Sequence, residues 1–107
     1  MTLNLFNNWP VRGLLLAILF ALAGCIGGPP VQEMSDARQA ISAAREAGAS
    51  DAAPVELRAA EDYLDSALRN LTRKEYGLAR DDALEAKDKA VAALATTERA
   101  ASSDPRP

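Results

Sequence analysis

Apolar positions fall into two patterns along this chain. Gly13 to Leu22 (GLLLAILFAL) is an unbroken apolar run, whereas beyond Pro30 apolar residues recur at spacings of three and four, the period of one helix face. The first periodic segment runs from about Pro30 to Ala47 and aligns Val31, Met34, Ala37, Ile41 and Ala44. Gly48 is placed as its C′ residue, and Ala49 to Ala53 as a connection. The second segment opens with Pro54 in a first turn, where a missing N–H is harmless, and with Glu56 at the positive end of the dipole. Its stripe is Leu57, Ala60, Leu64, Ala67, Leu68 and Leu71. The third starts near Lys74 and aligns Tyr76, Ala79, Ala83, Ala86, Ala90, Ala93 and Thr97, flanked by Leu84, Val91 and Leu94.

These stripes predict how the helices meet. A line of alanines allows an approach toward the short end of the usual range of roughly 8 to 10 Å between axes, with the leucines of the second helix facing it. The short link from Leu71 to Glu75 predicts an antiparallel hairpin. Asp65 with Arg69 and Glu85 with Lys89, acid before base at i,i+4, are expected as exposed pairs. After residue 24 alanine makes up about a quarter of the chain, Trp is missing, and Val and Ile are few, so strands lack the residues that favour them. The fold expected is all-α: a small helical hairpin plus one preceding helix over residues 31–101, with a disordered polar tail at 102–107.

The apolar run ends in Leu22, Ala23, Gly24 and Cys25, a sequence that resembles a bacterial lipobox. In that motif the cysteine thiol receives a diacylglyceryl group, signal peptidase II cuts before it, and the new amino terminus is acylated, commonly with palmitate. Residues 1–24 have the order of a secretory signal, although Arg12 is the only basic side chain in the n-region. Gly13 to Ile26 is about 14 residues, short of the roughly 17 to 25 that cross a bilayer, and Gly27, Gly28, Pro29 and Pro30 follow. Residues 25–30 are then the lipidated cysteine and a short tether. Two or three acyl chains, at about 0.8 kcal/mol per buried methylene, hold a protein stably on a membrane. With Ile26 rather than Asp after the cysteine, the sorting rule of Gram-negative envelopes implies the periplasmic face of the outer membrane.

Chemistry is sparse. The chain has no histidine and one cysteine, which lipidation would consume, so no intramolecular disulfide and no free thiol are expected. Carboxylate pairs such as Glu61 with Asp65 and Asp81 with Glu85 lie one turn apart on polar faces, where acid and base work would need a dry concavity. No glycine-rich phosphate loop follows Cys25. Catalytic residues, a cofactor, a metal and a small-molecule substrate are therefore not expected. Of the 12 Lys and Arg only Arg12 precedes Cys25, so 11 stand against all 15 Asp and Glu, a net charge of −4 in the mature part. Charges alternate in sign, so no polybasic surface for nucleic acid or anionic lipid is expected.

Pro54, Leu57, Ala60, Leu64, Ala67, Tyr76, Ala79, Ala83, Ala86 and Ala90 together resemble domain-of-unknown-function family 4398 over roughly Pro30 to Thr97. The resemblance implies an Ala-rich helical module of a bacterial envelope lipoprotein, a location more than an activity. In some members an OmpA-like cell-wall-binding domain follows; here the third helix is followed only by the short tail, so that function is not carried over. The hairpin is also similar to one tetratricopeptide unit, with Tyr63 and Leu64 in its first helix and Tyr76, Ala79 and Ala83 in its second. Such repeats need at least three units for a continuous core, so a degenerate unit covered by the preceding helix is expected. The short helical lipoprotein joined to peptidoglycan through a C-terminal lysine is a poorer parallel. This sequence ends Pro105, Arg106, Pro107, and Gly48 and Pro54 interrupt a single coiled coil.

The expectation is a lipid-anchored, non-catalytic interaction or adaptor module. Its partners are the membrane through Cys25 and another envelope protein, such as an OmpA-like protein, with Tyr63 and Tyr76 as candidate contact residues. The alternative is a structural lipoprotein whose alanine stripe self-associates, giving a lipid-anchored oligomer that braces the envelope.

Overall fold

Gly48 and Pro54 divide the alanine-rich segment as their backbone preferences require. Gly48 holds φ 100°, a left-handed conformation open to glycine, and its N–H donates to the carbonyls of Ala44 and Arg45. Pro54 sits in the first turn of the next long helix. The computed structural model describes residues 9–24 and 27–103, and every regular element among them is helical. The helices are Trp9–Gly24 (α1), Val31–Ala47 (α2), Ala49–Ala52 (α3), Pro54–Thr72 (α4) and Tyr76–Ser102 (α5).

The expected connection at 49–53 is itself a helical turn. The N–H groups of Asp51 and Ala52 donate to the Gly48 carbonyl, and that of Ala53 to Ala49. Alanine loses little in a helical conformation, so the chain resumes helix directly after the glycine. The hairpin turn is capped differently. The Glu75 N–H reaches the Asn70 carbonyl and the Lys74 N–H that of Leu71, a Schellman pattern with Lys74 rather than glycine at the left-handed position, φ 61°. The third helix accordingly begins at Tyr76, two residues later than expected, and runs to Ser102, into the segment expected as tail.

Helices α2, α4 and α5 form a three-helix bundle, α4 antiparallel to the other two. Ile41, Leu57, Ala60, Ala90 and Ala93 share one core cluster with Ala49 and Ala53 of the connection, while Met34, Ala67 and Ala83 form a second. Every alanine of the predicted α5 stripe is fully buried, and large side chains meet it from α2 and α4. Burying Met34, Ile41 and Leu57 contributes roughly 1.5 to 3 kcal/mol each. Thr97 ends the stripe buried, its hydroxyl donating to the Ala93 carbonyl at 2.7 Å.

Several expected core positions differ. Val31 is exposed, because Pro30 holds the buried position one turn before Met34; Leu68 is turned to the rim of α4; and Leu64, Leu71 and Tyr76 are half-buried. The ion pairs also differ. Among the described residues those within 4 Å are Arg45 with Glu61, Arg80 with Glu33, and Arg58 with Asp62. Neither Asp65–Arg69 nor Glu85–Lys89 is one of them, since solvated side chains gain little by closing such contacts.

Candidate functional site

Two rows of side chains, one from each of α2 and α4, enclose an open groove of about 310 Å³. Arg38, Ile41 and Arg45 follow at helical spacing on α2, and Glu61, Leu64 and Asp65 line the α4 side. Buried Ile41 and half-buried Leu64 give it an apolar floor. Arg45 spans the helices, its Nη2 donating to Glu61 Oε1 at 2.9 Å, while Arg38 and Asp65 are exposed and form no ion pair within 4 Å among the described residues. An apolar floor between cationic and anionic rims suits a side chain from another polypeptide. Sequence reasoning missed this groove: the spacing of Arg38 and Arg45 was available, but which helix would face them was not.

The two candidate tyrosines are not brought together. Ser66 and Asn70 of α4 both donate to Asp82 of α5, Ala67 clusters with Ala83, and Ala60 with Ala90. That register sets Tyr63 across from about residue 87, three helical turns or roughly 16 Å from Tyr76 at the hairpin end. Both are half-buried, and neither lines the groove.

Leu22, Ala23 and Gly24 are the last residues of α1, and Cys25 lies outside the described residues. The helix α1 has 16 residues, and no helix among the described residues is long and apolar enough to cross a membrane. Just beyond Cys25 the tether is fixed to the bundle. Arg80 Nη2 donates to the Gly28 carbonyl at 3.1 Å, Arg80 Nε donates to Glu33 Oε1 at 3.2 Å, and Pro30 is buried. Among the described residues no three His, Cys, Asp or Glu side chains converge as a metal site would require.

No curated protein and no solved structure matches the chain. A family model does: that of the domain of unknown function DUF4398, over residues 32–105, which spans α2 through the end of α5. The chain therefore belongs to the DUF4398 family.

Proposed function

We propose that this protein is a non-catalytic adaptor, lipidated at Cys25 and held on the periplasmic face of the outer membrane, which binds another envelope protein. The observation that carries the contact half of this reading is the α2/α4 groove, where half-buried Leu64 offers apolar surface over buried Ile41, beside Arg38 and Asp65, which pair with no other described residue. A partner helix with one apolar residue flanked by an acid and a base would complement it. Support for the anchor is the apolar helix α1, whose Leu14, Leu15, Leu16 and Ile18 are exposed and which ends beside the only cysteine. The tetratricopeptide-like view of the α4–α5 hairpin belongs to the same proposal. In it α2 takes the place of a neighbouring repeat by covering the hairpin with Met34, Ala37 and Ile41.

A photocrosslinking residue at position 38 or 65, compared with one at exposed Asp88, tests the groove in cells. Discrete adducts from the groove alone are expected; equal patterns at all three positions would sink the adaptor reading. The alternative, self-association, does not run through the alanine stripe, which is buried within the bundle; its support is Leu84 and Val91, exposed two turns apart on α5. Sedimentation of the lipidated protein in detergent decides between them, a single-copy species favouring the adaptor.

A further inference from the structure

We propose that the tether end of the bundle lies on the bilayer, with Arg73 and Lys74 on anionic phospholipid headgroups and Val31 and Leu78 entering the interface between them. This rests on the reading of Cys25 as lipidated. Covalent reach is the first argument. From Cys25 to Gly28 the chain spans at most about 11 Å, and the Gly28 carbonyl is held by Arg80, which is itself paired with Glu33. With Pro30 buried, the tether merges into the bundle within a few residues and does not act as a free linker. The starts of α2 and α5 and the α4–α5 turn are thereby brought to the membrane side.

The chemistry of that end is the second argument. Val31 is 71% and Leu78 55% exposed. The last turn of α4 and the hairpin turn present Arg69, Arg73 and Lys74 against Glu75, all exposed, and among the described residues none of these cations forms an ion pair within 4 Å. The opposite end has exposed Val55 but fewer cations: from Glu46 to Val55 there is Asp51 and no Lys or Arg, and the last turn of α5 adds Arg99, so the three cations set the tether end apart in a chain that as a whole lacks a polybasic surface. Exposed apolar side chains beside unpaired cations match a headgroup surface, where each basic residue is drawn to lipid phosphate and apolar groups enter the boundary. The cations also lie at the negative end of the α4 dipole, which accounts for their stability there but not for the apolar residues next to them.

The experiment uses the mature lipidated protein, in which lipid occupies Cys25 and one introduced cysteine takes a fluorophore. Val31→Cys and Leu78→Cys are compared with Ser50→Cys at the far end, in vesicles of phosphatidylethanolamine and phosphatidylglycerol that carry a headgroup quencher. Labels at 31 and 78 should be quenched strongly and the label at 50 weakly. Arg73→Glu combined with Lys74→Glu should lower the docked-to-undocked ratio at least about fivefold, with an unchanged melting curve. Raised salt or phosphatidylcholine vesicles should act in the same direction. Equal quenching at both ends of a protein whose mass confirms the lipid overturns this proposal and leaves the anchor standing. A Cys25 without lipid overturns both. Weak quenching of the labels at 31 and 78 in these vesicles places this end away from the headgroups and overturns it as well.

Discussion

Ser66 Oγ donates to Asp82 Oδ2 at 2.6 Å across the α4–α5 interface, and the same oxygen accepts from Asn70 Nδ2 at 2.8 Å. All three side chains are half-buried, so one carboxylate oxygen fixes the hairpin register beside a seam otherwise made of alanine. Asp82→Ala leaves two donors unsatisfied and should cost about 1 to 3 kcal/mol. A urea melt measures it. In a double-mutant cycle Ser66→Ala should cost markedly less in the Asp82→Ala background than alone, and strict additivity would argue against the bond.

The alanine seam predicts intolerance of larger side chains. Ala90 is fully buried where α5 meets α2 and α4. Ala90→Leu should destabilise by about 1 to 3 kcal/mol or more through overpacking. Exposed Ala92 provides the control: Ala92→Leu should stay within about 0.5 kcal/mol of wild type. Thermal melts by circular dichroism resolve the two, since 1 kcal/mol moves the midpoint by roughly 4 to 8 °C in a domain of this size.

Leucines of α4 should not be equivalent. Leu57 is buried and Leu64 half-buried in the groove. Leu57→Ala should cost about 2 to 4 kcal/mol, a large share of a small domain's stability, and Leu64→Ala clearly less. The reverse order in chemical denaturation would contradict the packing of α4.

The two left-handed positions predict changes of opposite sign. Gly48→Ala, with open space around the added methyl, should lose about 1 kcal/mol from backbone conformation alone. Lys74→Gly should gain roughly 0.5 to 1 kcal/mol, because the left-handed cost of a residue with a Cβ exceeds the entropy cost of glycine. Melting curves of both variants are the check.

Cys25→Ser should abolish membrane attachment and leave an uncut precursor, because oxygen does not replace the thiol in diacylglyceryl transfer. Fractionation with intact-mass measurement tests this. A wild-type protein of unmodified mass would remove the basis for anchoring.

The helices were legible in the sequence because their causes are local. The three-and-four spacing of Ala79, Ala83, Ala86, Ala90, Ala93 and Thr97 marks a buried face wherever the helix packs, and Gly48 and Pro54 mark a stop and a start through their own backbone limits. Lys74 gave no such sign, since its left-handed turn is imposed by the Schellman bonds to Asn70 and Leu71 rather than by its side chain. Nor could periodicity tell that Leu68 would sit at the rim or that Arg45 would reach Glu61, 16 positions away. Those outcomes depend on the rotation of one helix against another, which packing fixes only when all three come together. The same holds for the groove at Ile41 and Leu64 and for the grip of Arg80 on Gly28: spacing along one helix names the residues, and contact between helices gives them neighbours.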